Sequence, residues 1–380
     1  MRRPVIQAPR DISARQSDQT THYLVLDGMR GIAAVTVLAF HITEYFRLPF
    51  KPVHGYLAVD FFFMLSGFVI AHAYDRQLRG GMGFPDFLRL RLIRLYPLAG
   101  LGVLLGTAGY LVAASAPGGP DAGAVLQATL ANALLLPTRS LLGFRPWAFP
   151  LDTPLWSLSI ELLINILYAL YFRWLTRASL LATCVFGAVL MGATALHYHG
   201  LNAGYRWIDL WAAAARVVFP FTAGLLMRRA LRPSMAAAPG RLARRGAAHA
   251  TVPLLLLLLA APLPMEAWFD IAAVLLAFPA LVAAGAFATP SRRLDPIWKW
   301  LGALSYPLYV LHYPLVAGLA NLTKHHLHRF APEMALFAAL ASIGLAWAAG
   351  RFYDVPLRRW LTGAGRTTAR LPAAVPPGTG

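Results

Sequence analysis

Arg30 and His41 lie eleven residues apart in the apolar run LDGMRGIAAVTVLAFHITE, Leu26 to Glu44. At 100° per residue, eleven residues make three turns plus about 20°, so both side chains share one helix face, about 16 Å apart along the axis. An arginine supplies a fixed charge in a planar fork, and an imidazole can take or give a proton near neutral pH. Ionisable groups inside a membrane-length helix are costly and face a bundle interior or a polar cavity, which makes them site candidates. The structural alternative is that Arg30 snorkels to a headgroup surface and His41 is a satisfied interior histidine.

Four other stretches carry groups of the same kind. In TPLWSLSIELLINILYALYF, Glu161 falls at a depth comparable to that of His41 and is a candidate partner for it, holding an imidazolium and fixing its tautomer; it could equally pair with any arginine of the bundle. Ser159 is a candidate substrate-binding hydroxyl on the same segment, although serines there are also common interhelical contacts. FPDFLRLRLIRLYP presents Arg91 and Arg94 as neighbours on a helix and Arg89 on another side, a pattern suited to phosphate, though also to lipid headgroups. GYLAVDFFFMLSGFVIAHAY places Asp60 near one end, as a substrate contact or a solvated or pairing carboxylate, with Ser66 lower down. LSYPLYVLHYPL aligns Ser305, Tyr309 and His312 at helical spacing, as a cavity lining would. The cluster Lys324, His325, His326 and His328 lacks the spacing of a metal site, and the single cysteine, Cys184, sits in an apolar run; no metal site is expected.

These residues need elements to position them, and composition says which. Of 380 residues, 58% are hydrophobic and 13% charged, against about 25% charged in soluble domains, so the fold expected is an all-α, polytopic membrane helix bundle. Candidate spans fall near residues 26–46, 55–75, 93–115, 154–173, 178–197, 206–228, 250–265, 267–289, 298–320 and 333–353, about ten. Segment 122–137, short and holding Gln127 and Asn132, is expected to be interfacial or re-entrant, because counting it as a crossing would invert every later loop. With ten spans, the basic connections around Arg76 to Arg94, Arg173 and Arg177, Arg228 to Arg245, Arg292 to Lys299, and Arg358 all fall on one side, the cytoplasmic one. Both termini then lie in the cytoplasm, in a plasma (inner) membrane. The net charge of +18 is thereby explained without nucleic acid. Residues 1–22 lack a signal-peptide core and are expected to be a flexible tail, 23–360 the bundle, 361–380 a disordered tail, and 229–249 a flexible linker.

Taken in order, LDGMRGIAAVTVLAFH, GYLAVDFFFMLSGF, FLRLRLIRLYP, PLWSLSIE and SYPLYVLHYP resemble the acyltransferase family 3 of integral-membrane acyltransferases, over roughly Tyr23 to Trp360. The resemblance implies an enzyme that moves an acyl group, often acetyl, from cytoplasmic acyl-CoA to a hydroxyl of a glycan or small molecule. It matches His41 to the family's catalytic histidine, Arg30 to its paired arginine and Glu161 to its acidic residue, with Arg91 and Arg94 in the basic motif and a donor-binding role. The spacing here is R-x-R-x-x-R, so Arg89 competes for those positions. LLIN follows Glu161 where many relatives carry Glu-Gln-Phe, and Asp354-Val355-Pro356 stands where Glu-x-Pro is frequent.

On this reading the donor is a substrate and no cofactor is bound permanently; the partners are membrane lipid, acyl-CoA and a glycan or lipid-linked glycan. Donor phosphates meet Arg91, Arg94 and Arg30, and His41 either deprotonates the acceptor hydroxyl or accepts the acyl group first. A bacterial surface glycan such as exopolysaccharide or lipopolysaccharide is the favoured acceptor and a macrolide-like molecule the alternative. A solute transporter is a further alternative, but the sequence shows no matching pair of Gly/Pro-broken spans in two halves.

Overall fold

The computed structural model describes residues 23–115, 117–231, 240–264, 266–323 and 327–367. Residues 1–22 and 368–380, together with Lys324, His325 and His326, lie outside the described residues. The described residues build an all-helical bundle. Its helices are α1 Leu24–Tyr45, α2 Ala58–Arg79, α3 Phe84–Ala114, α4 Ala122–Ala133, α5 Leu155–Leu170, α6 Arg177–Tyr198, α7 Leu210–Ala230, α8 Arg241–Ala260, α9 Ala267–Phe287, α10 Asp295–Thr323, α11 Leu327–Ala348 and α12 Val355–Thr367. The middle of α9 is a π-turn, Ala273–Ala277, and a second π-turn, Ala349–Asp354, joins α11 to α12.

Seven stretches among the described residues are long and apolar enough to cross a membrane: α1, Gly55–Arg79, α3, α6, α7, α9 and Phe330–Gly363. This is a polytopic membrane protein, but length and composition account for seven spans rather than ten. The other three expected spans fall on α5, an apolar helix of 16 residues, and on α8 and α10. α4, with 12 residues and thus about 18 Å long, is too short for a hydrocarbon core of about 30 Å and packs on α3 through Thr107 and Thr129, whose hydroxyls are 2.9 Å apart. Two boundaries move from expectation. Residues 241–249 begin α8 instead of forming a linker, and the helix after Asp354 continues to Thr367, past residue 360. In both cases arginines that read as loop in the sequence line the first turns of a helix.

Two helix pairs form the frame, and glycine sets how closely they approach. A Cβ on Gly67 of α2 would run into the Phe221 carbonyl of α7, and one on Gly224 of α7 into the Met64 carbonyl of α2. α1 and α10 interlock in the same way, Gly31 against the Leu301 carbonyl and Gly302 against Asp27. Small residues are the usual means of close packing where lipid offers no hydrophobic drive. The α2–α7 pair is also clamped by charge near each end. Arg216 grips Asp60 through Nη2 to Oδ2 at 2.6 Å and Nε to Oδ1 at 3.1 Å, and donates to the carbonyls of Ala203 and Tyr56. Arg229 grips Asp75, which also accepts from the Tyr168 hydroxyl at 2.7 Å and so brings in α5.

Candidate active site

Pro307 and Pro314 interrupt the hydrogen-bond ladder of α10, which carries polar groups along its whole length. Ser305 accepts from Arg30 Nε at 2.9 Å, Tyr306 lies under the Arg94 guanidinium at 4.7 Å, Tyr309 bonds Ser157 at 2.6 Å, and the ring of His312 lies 5.3 Å from that of His41. α10 therefore connects two polar regions at opposite depths.

At one end is a cavity of about 660 Å³, lined by His41, Glu44 and Tyr45 of α1 and by Tyr309 and Tyr313 of α10. Tyr56, Trp147, Trp156 and Tyr205 supply further aromatic walls. The His41 ring sits between the tilted His312 ring and the edge of Tyr313, whose centroid is 5.2 Å away. The acid beside it is Glu44, one turn on along α1, with Oε2 3.9 Å from His41 Nδ1, beyond a hydrogen bond. His312 Nδ1 is 2.8 Å from the Leu308 carbonyl. A carbonyl only accepts, so Nδ1 carries the proton and the neutral ring presents Nε2 as an acceptor, buried and with no partner among the described residues. Tyr45 donates to the Tyr313 hydroxyl at 2.8 Å, closing that wall. Two imidazoles beside a tyrosine pair can accept and relay the proton of a hydroxyl held in the cavity.

Arginines cluster at the other end. Arg30 bonds Ser305 and pairs with Asp27 at 3.0 Å; Arg358 pairs with Asp354 at 2.6 Å, and both arginines lie within electrostatic reach of Arg94. Arg89 donates to the Leu361 carbonyl and ties α3 to α12. Among the described residues, Arg30, Arg94 and Arg358 thus gather with two paired carboxylates, Asp27 and Asp354, and the Arg91–Glu161 pair lies beside the same Tyr306, so guanidinium groups outnumber carboxylates, as suits a polyanion.

Glu161 differs from expectation. Its Oε1 accepts from Ser66 Oγ at 2.7 Å and from Arg91 Nη2 at 3.2 Å, and it does not line the cavity of His41. It thereby joins α5 to α2 and to the basic motif of α3, instead of orienting His41. Ser66 is engaged as that donor. Ser159 gives its hydroxyl to the Leu135 carbonyl and so anchors the loop after α4, rather than facing the cavity. Asp60, fully buried against Arg216, is the pairing carboxylate of the two readings and not a wall of the cavity. Tyr309 and His41 meet at the cavity, with His312 directly behind.

Arg216, Tyr306 and Tyr313 were missed by spacing, as was Asp152. Arg216 was legible in principle, since it interrupts the apolar WAAAARVVF. Asp152, in the loop before α5, is fully buried against Gly102, and neither carboxylate oxygen has a partner among the described residues. Burial pushes its carboxyl well above the ordinary range.

Against known families, the acyltransferase domain of acyltransferase family 3 matches residues 23–351. The chain belongs to this family. As a member of acyltransferase family 3 it is an acyltransferase, and the region matched takes in both polar ends of α10. It is 38% identical to Protein 2 in the picA locus of Rhizobium radiobacter over 188 residues, 46% of this chain and 95% of that protein. It is 28% identical to the acyltransferase MdmB of Streptomyces mycarofaciens over 243 residues, 57% of this chain and 59% of MdmB. No solved structure matches the chain.

Proposed function

We propose that this family 3 acyltransferase is a membrane O-acyltransferase that takes an acetyl group from acetyl-CoA and places it on a hydroxyl of a bacterial surface glycan. The observation that carries the reading is the separation of two complementary regions along one helix. An arginine cluster suits the phosphates of a coenzyme A donor, and His41 opens on an aromatic-walled cavity about 16 Å away, large enough for one or two sugar units. The extended pantetheine arm of coenzyme A can span that distance. In the direct route, the acceptor oxygen attacks the thioester carbonyl as its proton passes to His41. The tetrahedral adduct collapses, the C–S bond breaks, and the proton ends on the departing thiolate. In the two-step route the His41 imidazole attacks the thioester carbonyl, the C–S bond breaks and coenzyme A leaves; the acceptor hydroxyl then attacks the acyl-imidazole, the C–N bond breaks and its proton passes to the freed imidazole. In both, Glu161 holds Arg91 in the donor region through their ion pair.

Most of the arginine-rich connections read from the sequence lie toward the donor end, which under the positive-inside rule supports a cytoplasmic donor end and termini, with the cavity facing outward from the inner membrane. The test uses purified protein in nanodiscs with acetyl-CoA and extracted surface polysaccharide. Protein-dependent thiol release should accompany a 42 Da gain on the glycan, and both should vanish in His41→Ala. Thiol release with no glycan ester, or transfer that survives in His41→Ala, would refute the reading.

A further inference from the structure

The charges at the mouth of the cavity do not balance. Arg47 and Arg145 both line it, and neither has a carboxylate partner among the described residues. The other charges around it are paired with a charge of opposite sign or, for Arg139, stacked on a ring. Glu44 lies 4.0 Å from Lys51 and beside His41, Arg206 pairs with Asp209 at 2.9 Å, and Arg216 is neutralised by Asp60. Arg139 stacks on the ring of Trp207 at 4.5 Å. Arg145 sits beside Tyr45 and Tyr110, neither of which offers a counter-charge while its phenol is protonated. Arg47 follows the end of α1 with φ of +53°, a left-handed conformation that glycine takes far more readily. With the orientation proposed above, these arginines also face outward, against the tendency that puts basic residues in the cytoplasm.

Resting on the acceptor site of the proposed function, we propose that the acceptor glycan is anionic, carrying a carboxylate or phosphate on the acylated sugar or its neighbour. Arg47 and Arg145 bind that charge while the aromatic walls pack on the sugar faces. Planar guanidinium groups recognise both kinds of oxyanion in bidentate fashion, so the pair selects for charge and the walls for the ring. The same lining disfavours acceptors bearing an amino sugar, whose cation would face two unmatched arginines.

The decisive measurement is equilibrium binding to purified protein in nanodiscs, with three methyl glycosides of one stereochemistry as probes: a glucoside, a glucuronoside and a glucoside 6-phosphate. At least one anionic probe should bind tenfold or more tightly than the glucoside. Added salt should weaken that preference, and Arg47→Gln/Arg145→Gln should reduce it to within about twofold of unity. Thermal melting of the double variant checks that it is folded, and Arg47→Lys/Arg145→Lys should keep part of the preference. Equal binding of all three probes, no binding of any, or a preference that survives in the Gln variant would overturn the proposal. So would displacement of the anionic probe by free coenzyme A, which would assign the arginines to the donor. Acetyl transfer measured in parallel keeps the two claims apart: ester formation on all three probes alike leaves the acyltransferase reading intact while removing the charge requirement.

Discussion

At the scale of single residues, the geometry divides the polar groups into those facing the cavity and those spent on structure. Replacing His312 by Gln removes the free Nε2 acceptor behind His41 while keeping a similar volume; a drop in turnover of about 10- to 100-fold with little change in acceptor KM is expected if the second ring relays the proton. Glu161→Gln keeps shape and loses charge, so Arg91 is less firmly held and the KM for acetyl-CoA should rise severalfold, more than turnover falls. The sign of the pH dependence at Asp152 follows from its burial. Its folded-state pKa is raised, so the folded protein binds a proton more tightly than the unfolded one. Stability is then full below the unfolded pKa near 3.8 and is lost as pH rises toward the folded value. Asp152→Asn should flatten that decline in melting curves taken across the acid range; an unchanged slope would show that this carboxyl does not titrate there.

Elements are held in register by paired charges and by glycines at crossings. Arg216→Ala leaves Asp60 buried and alone, and should cost about 3–5 kcal/mol, seen as loss of folded protein on detergent extraction. The joint change Asp60→Leu with Arg216→Met should recover most of that loss, which a residue that binds substrate would not permit together with activity. Gly67→Ala and Gly224→Ala should each destabilise by about 1–3 kcal/mol, because backbone oxygen of the facing helix occupies the space. Much of this level was legible in the sequence. Apolar runs and basic loops marked out the helices, and the shortness of 122–137 separated α4 from the spans. Comparable depth from the helix ends did not bring Glu161 to His41: Glu161 bonds Arg91 and Ser66 while His41 lines the cavity. The face each one presents was not legible, because rotation about the helix axis is set by which neighbours pack there. Ser159 and Asp60 take the structural one of their two readings for the same reason. The boundaries at Arg241 and Thr367 were obscured because arginine reads as loop in a membrane pattern although it is a good helix former.

For the whole molecule, the proposed orientation can be checked without reference to catalysis. In a Cys184→Ser background, cysteines placed at Arg47 and at Arg293 should react with impermeant reagents from opposite sides of the membrane; labelling from one side would refute the alternation of loops. The central claim is that acyl transfer occurs between a donor at the arginine cluster and an acceptor beside His41. It is tested most directly by single-turnover transfer of radiolabelled acetyl from acetyl-CoA to surface polysaccharide in nanodiscs, comparing wild type with His41→Ala. Labelled ester on the glycan in the wild type, with a rate at least 100-fold lower in the variant, is the expected result. Equal rates in the two proteins would contradict the account.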